Sequence, residues 1–311
     1  MHILNSLAPI FLILALGAVL VKSRFLSETY LQGLNRLTYW VGLPCLLFYK
    51  IASANHTTGP ASRIFLVVVL GMAGVLVLSY LTAWLLRMPA KSVGTFVQAA
   101  FRGNLAFIGL PVLIYTSADL YGQDAHSMEM LGVLVIAPMV PIYNCLSVLV
   151  LLVSQQELNW QALKKIVQPI VTNPLVIASL GGLLVVFTGK NLPMALHRTL
   201  KVVGDMSLPL ALISIGGSLV LVEIRGSLGF AATAALLKMV LAPLLGYFVA
   251  QFMGLAPAET RIALIYLACP TAVSSFVLVD QIGGDNALAA SAVVISTILA
   301  MFSLGFVVAF N

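Results

Sequence analysis

The hydrophobic and polar positions divide the chain into ten long apolar runs separated by short polar breaks. The runs lie near residues 3–21, 33–53, 63–86, 94–116, 127–153, 169–187, 200–222, 227–253, 260–280 and 286–309. A helix needs about 20 mainly apolar residues to cross a bilayer, so each run predicts one transmembrane helix. The expected fold is an all-α polytopic membrane protein of about ten transmembrane helices.

Composition agrees. Hydrophobic residues make up 61% of the 311 positions and charged residues 8%. A soluble domain carries roughly 25% charged residues, so this chain lacks a water-facing surface, and ten spans leave no room for a soluble domain. The net charge of +6 comes mostly from short loops and bears on topology first. No basic run points to nucleic acid. Cys45, Cys145 and Cys269 sit in separate apolar runs without ligand spacing, and His2, His56, His126 and His197 fall at the N-terminus and in loops. Neither a metal nor a cofactor is expected.

The first run is read as a span and not as a cleaved signal, because Lys22 and Arg24 follow it instead of preceding it. Placing both termini on the outer side puts Lys22, Arg24, Arg87, Lys91, Lys164, Lys165 and Arg225 inside. It leaves Lys50, Arg63, Lys190, Arg198, Lys201 and Arg261 outside. Seven bases against six tips the positive-inside rule only slightly.

An internal repeat organises the chain. Pro9 matches Pro174, Gly17 matches Gly182 and Leu43-Pro44 matches Leu208-Pro209, each at a spacing of 165 residues. Gly122 and Asp124 match Gly283 and Asp285 at 161, a shift of one short gap. The expected organisation is a five-helix repeat over 1–154, a polar linker over 155–168 and a second repeat over 169–311, forming one membrane domain. A unit with an odd number of spans enters the bilayer inverted the second time, a recurrent plan of alternating-access transporters.

Spans four and nine occupy equivalent places in the two repeats, and both combine helix breakers with polar groups at membrane depth. Span four reads Phe101-Arg102-Gly103-Asn104 through Ile108-Gly109-Leu110-Pro111, and span nine Ala268-Cys269-Pro270-Thr271-Ala272-Val273-Ser274-Ser275. Proline removes a backbone hydrogen bond, and in hydrocarbon such backbone is tolerated only where protein buries it or it lines a wet cavity. Paired interruptions in corresponding positions of two halves point to a binding site. Pro44, Pro138, Pro141, Pro209 and Pro243 read instead as ordinary kinks.

The candidate substrate-binding residues are Arg102, Gly103, Asn104, Pro111, Pro270, Thr271, Ser274 and Ser275. A charge as deep as Arg102 marks function by default; its alternatives are snorkelling to the interface or pairing with a buried carbonyl. Asn104 supplies both donor and acceptor. Thr271, Ser274 and Ser275 are hydroxyls that line a crossing or simply pack helices. Lys238 is a second intramembrane cation, needing a partner or a cavity. Asp205 is the best-placed acid: a partner for Lys238, a proton carrier, or an ordinary ion pair or cap.

These segments, with Gly42-Leu43-Pro44, Asn173-Pro174, Leu208-Pro209 through Gly216-Gly217-Ser218-Leu219 and Cys269-Pro270-Thr271-Ala272, resemble the auxin efflux carrier family of bacterial permeases over nearly the whole chain. The resemblance implies the fold shared with bile-acid symporters and NhaA-like antiporters. In that fold scaffold and transport subdomains interleave between the repeats, and broken helices four and nine cross at prolines, here Pro111 and Pro270. It also implies a small organic acid as substrate, malonate- or malate-like or auxin-like. The long loop between spans five and six of many plant members is absent.

The function expected is therefore a permease for a small organic anion in the cytoplasmic membrane. Arg102 and Lys238 at depth outweigh the single acid Asp205 there. The rival is a sodium- or proton-coupled carrier of a neutral or cationic solute using Asp205. An intramembrane enzyme fits less well, since the chain lacks Gly-x-Ser-x-Gly and His-Glu-x-x-His motifs. Expected partners are the organic acid, H+ or Na+ as coupling ion, the lipid bilayer and, through the Leu- and Val-rich scaffold half, a second copy.

Overall fold

The structure, a computed structural model, describes residues 2–53, 59–155, 172–188, 192–222, 224 and 226–309. The linker beyond Gln155, His56, Lys164, Lys165, Lys190 and Arg225 lie outside the described residues. In chain order the helices are α1 (His2–Lys22), α2 (Glu28–Leu37), α3 (Leu43–Ala52), α4 (Gly59–Leu85), α5 (Ala90–Phe101), α6 (Leu110–Tyr121) and α7 (Ala125–Ser154). There follow α8 (Pro174–Phe187), α9 (Met194–Leu221), α10 (Leu228–Leu236), α11 (Ala242–Phe252), α12 (Pro257–Leu267), α13 (Ser274–Ile282) and α14 (Asn286–Ala309). Wide π-turns at Thr38–Gly42, Leu105–Gly109 and Leu237–Leu241 lead into α3, α6 and α11.

The protein is a nearly all-helical, polytopic membrane protein. Helix occupies part of each of the ten apolar runs. Five stretches among the described residues are long and apolar enough to cross a membrane on their own: Pro60–Leu85, Leu105–Ser154, Met194–Leu221, Leu228–Phe252 and Asn286–Ala309. The surface is studded with large apolar side chains, among them Phe252 at 94% exposure and Phe187 at 80%, which suits lipid and not water.

Local chemistry sets the helix ends. Asn173 accepts from the Leu175 amide at 2.9 Å and Pro174, which has no donor to lose, opens α8. Gly122 closes α6 at φ 54° and Gly283 closes α13 at φ 101°, values that favour glycine; these are the two glycines matched at a spacing of 161. Two histidines expected in loops lie on helices instead. α7 begins at Ala125 and α9 at Met194, so both helices reach past their apolar runs and take in His126 and His197.

Two compact units make up the chain, each drawing segments from both halves of the sequence. The first comprises Met1–Ser62, Ala106–Pro141 and Val171–Leu221; the second Arg63–Leu105, Ile142–Ile170 and Val222–Asn311. In the first unit α1 packs against α9 and α8 against α3. Backbones touch where α1 meets α9: a Cβ on Gly17 would stand 2.1 Å from the Ile213 carbonyl oxygen, and one on Gly216 only 1.9 Å from that of Leu14. Gly182, the match of Gly17, likewise lets α8 approach Ile51 and Phe48 of α3. Where α3 and α9 meet, a Cβ on Gly42 would lie 2.7 Å from that of Ser207, the residue 165 positions later.

In the second unit α14 packs against α5, α10, α12 and α13. Phe96, Ile262, Ile265, Tyr266 and Val293 are buried there. The helices α5 and α7 run antiparallel: Gly94 donates to Ser154 Oγ at 3.0 Å at one end, and Arg102 reaches Asn144 at the other.

Candidate functional site

The site expected at spans four and nine is built inside the second unit. α5 stops at Phe101, where Arg102 leaves helical geometry at φ −76°, ψ 108°. α12 stops at Leu267, and Gly103 and Thr271 pair as an antiparallel bridge. The Asn104 amide donates to the Pro270 carbonyl at 2.8 Å, and the Ala272 amide to that of Arg102 at 3.3 Å. Each interruption thus satisfies polar backbone of the other, as unwound chain at membrane depth requires. The bridge falls at Arg102–Asn104 on the span-four side, earlier than Pro111. Pro111 is buried in the other unit, where the π-turn Leu105–Gly109 runs without interruption into α6, so its missing amide falls inside continuous helix.

Both helix ends that point into the break are capped. Thr271 Oγ1 donates to the Ala99 carbonyl of α5 at 2.8 Å, while its amide donates to Ser296 Oγ of α14 at 3.0 Å. The fully buried Lys238 extends its ammonium from the π-turn before α11 to the Leu267 carbonyl of α12 at 2.6 Å. A cation is favoured at a helix C-terminus, where the aligned peptide dipoles leave partial negative charge. Gly103 faces this ammonium; a Cβ there would come within 3.4 Å of both Lys238 Nζ and the Tyr266 carbonyl oxygen.

Arg102 is 5% exposed. One of its terminal nitrogens donates to Asn144 Oδ1 of α7 at 2.7 Å and to Ser274 Oγ of α13 at 2.9 Å. The Phe101 ring stacks on that of Tyr143, with centroids 6.1 Å apart, which ties the same stretch of α7 to the end of α5. Ser274 is exposed, whereas Ser275 is buried and its hydroxyl has no hydrogen-bond partner. One turn from the Arg102–Asn144 contact, Gln98 on α5 and Ser147 on α7 are buried with unpartnered side chains. The break therefore gathers two buried cations and several hydrogen-bonding groups from α5, α7, α13 and the turn before α11.

Of the expected residues, Arg102, Gly103, Asn104, Pro270, Thr271, Ser274, Ser275 and Lys238 all belong to the second unit. Asp205 has other company. Its carboxylate accepts from Tyr49 Oη at 2.6 Å and pairs with Lys201 one turn earlier on α9, the ordinary ion pair among its expected roles. Sequence reasoning missed Asn144 and Ser296, each a small polar group inside a long apolar run and legible by that contrast. It also placed Lys50 among the loop bases, although Lys50 is buried in an ion pair with Glu129 at 2.5 Å. Among the described residues no group of three or more His, Cys, Asp and Glu is arranged to hold a metal.

A family model described as membrane transport protein matches residues 2–308. A protein of Methanothermobacter thermautotrophicus described as an uncharacterized transporter is 24% identical over 304 residues, which cover 96% of this chain and 95% of the relative. An uncharacterized transporter of Methanocaldococcus jannaschii is 20% identical over 281 residues, covering 88% and 87% respectively.

Proposed function

Because the chain belongs to the membrane transport protein family, that of the auxin efflux carriers, we propose that it carries a small organic anion across the cytoplasmic membrane by alternating access. The substrate class is a mono- or dicarboxylate, malonate- or malate-like or auxin-like, with both termini of the protein on the outer side. The observation that carries this reading is the guanidinium of Arg102, buried at the break and aimed by the oxygens of Asn144 and Ser274. Lys238 adds a second buried charge, and its hydrogen bond to the Leu267 carbonyl leaves that charge uncancelled. A carboxylate is the complement of such a site, with the Asn104 side-chain amide and the Ser274 hydroxyl, whose own proton stays available while it accepts from Arg102, to orient it. The rival carrier of a neutral or cationic solute has less support, because Asp205 is already engaged by Lys201 and Tyr49.

The test is counterflow of radiolabelled malonate, malate and indole-acetate into proteoliposomes loaded with the same unlabelled acid, with wild type and Arg102→Ala side by side. Wild type accumulates label from at least one acid, and the variant, eluting as a folded species, does not. Equal counterflow by the two proteins would remove Arg102 from the site. Failure of the wild type on carboxylates alongside counterflow of an organic cation would overturn the anion reading.

A further inference from the structure

The first unit holds a set of ionisable groups that the carrier reading leaves unused. Near the end of α3, Lys50 Nζ lies 2.5 Å from Glu129 Oε2 near the start of α7, their side chains 8% and 15% exposed. The other carboxylate oxygen, Oε1, accepts from Ser117 Oγ of α6. Three helices thus converge on one carboxylate. Replacing a buried ion pair by apolar side chains is often neutral or stabilising, so stability alone does not account for this one. Ionisable groups inside membrane segments mark ion or proton pathways by default.

Ser117 gives the carboxylate two complete hydrogen-bonding states. Its hydroxyl has one proton and two acceptors in reach, Glu129 Oε1 and the Ile114 carbonyl, the latter at 2.9 Å. With Glu129 ionised, the hydroxyl donates to it and Lys50 holds the second oxygen. With Glu129 protonated, the carboxylic acid donates to Ser117 Oγ and the hydroxyl turns its own proton to Ile114. A hydroxyl exchanges the roles of donor and acceptor in this way by rotation about a single bond.

Further ionisable groups stand around the pair. On α3, Tyr49 precedes Lys50 and donates to Asp205 of α9, which also holds Lys201. The His197 ring of α9 lies edge-on to that of Tyr49, with centroids 5.8 Å apart. α6 carries Asp119 and Tyr121, Asp124 stands in the turn after it, and His126 precedes Glu129 on α7. Glu129 differs from the other carboxylates here: its neighbours combine a buried ammonium with a hydroxyl that has an alternative acceptor.

We propose that Glu129 is the proton-binding site that couples transport to a proton gradient, with Lys50 as its counter-charge and Ser117 as its hydrogen-bond switch. The proposal rests on the carrier reading above for its transport consequence but not for the titration itself. One proton adds to the carboxylate to give the neutral acid. No covalent bond to carbon changes, and Lys50 keeps its protons while losing its counter-ion. The ion pair that ties α3 to α7 is then released, so each protonation state carries its own helix–helix contact.

Two measurements test it on the full chain in lipid. The first is pH-difference infrared spectroscopy without any solute. Wild type shows a protonated-carboxyl band growing in with acid, Glu129→Gln lacks that band, and Glu129→Asp restores a shifted one. Identical spectra from wild type and Glu129→Gln overturn the proposal whatever the solute is. The second measures labelled malonate, malate and indole-acetate with and without an imposed pH gradient. Glu129→Gln keeps exchange at equal pH but loses gradient-driven accumulation, and retained accumulation overturns the coupling role. If wild type moves no carboxylate, the carrier reading falls while the infrared arm still decides on Glu129. Should the glutamine variant not fold, Ser117→Ala must move the pH of the wild-type band; an unmoved band overturns the proposal.

Discussion

Thr271 is the residue whose removal reads most directly on the break. Its hydroxyl donates to the Ala99 carbonyl at 2.8 Å, and both residues are nearly inaccessible, at 1% and 2% exposure. Thr271→Val keeps the shape of the side chain and deletes only the donor. The Ala99 carbonyl, at the end of α5 and at membrane depth, then loses this hydrogen bond without water to replace it. Orphaning a buried backbone acceptor costs about 1–3 kcal/mol. Thr271→Ser restores the hydroxyl and trades a methyl group for a small void, at a cost of about 1 kcal/mol. The order of stability is therefore wild type, then serine, then valine. Unfolding by sodium dodecyl sulfate in mixed micelles, followed by tryptophan fluorescence, measures these differences. A valine variant as stable as wild type, or less damaged than the serine variant, would refute the claim that this hydroxyl caps α5. Initial rates of counterflow on the same preparations should fall in the same order, because the cap positions Arg102, three residues beyond Ala99.

Two further outcomes follow from the packing and the ion pairs. Gly216→Ala puts a methyl group where 1.9 Å separates its Cβ from the Leu14 carbonyl oxygen, and backbone cannot rotate away as a side chain can. A loss of about 3 kcal/mol or more is expected, seen as reduced yield and aggregation in size-exclusion chromatography, whereas Gly229→Ala, with nothing within 4 Å, elutes as wild type. Asp205→Asn removes an ion pair whose side chains are 53% and 43% exposed, and such pairs contribute about 0–1 kcal/mol. Its organic-anion counterflow should match wild type, and abolished counterflow would return Asp205 to the centre of the mechanism.

Hydropathy alone marks where the helices run, because bilayer thickness imposes the length of each apolar segment. The breaks were legible too: Arg102-Gly103-Asn104 and Pro270-Thr271 stand out as polar or helix-breaking residues inside apolar runs. Their alignment was less so. Pro111 draws the eye as the helix breaker of span four, yet around it the chain stays helical, widened into the π-turn Leu105–Gly109, and the interruption lies upstream at Arg102–Asn104. The partners of the charges needed the fold. Lys50 and Glu129 are separated by 79 positions, so no local pattern links them. Lys201 and Asp205 are one helical turn apart, so an ordinary ion pair was legible among the roles of the acid. Lys238 proves to serve a backbone carbonyl, and helix-end carbonyls leave no trace in residue identity.

The contact of Gly42 with Ser207 has a consequence for how such a protein can change over generations. The two positions share one spacing with the motif pairs and sit face to face, with only 2.7 Å available between their β-carbons. Two separate copies of a five-helix polypeptide, meeting across a symmetry axis at this spot, would bring the same residue against itself. Any side chain would then be present twice, and glycine would be obligatory. A single continuous chain is free of that rule, since one side can hold a hydroxymethyl group while the other stays bare. Covalent linkage of the halves thus permits heterogeneity at the very positions where self-association would forbid it. Exchanging the two residues, by Gly42→Ser together with Ser207→Gly, should be tolerated far better than Gly42→Ser alone, which sets serine against serine.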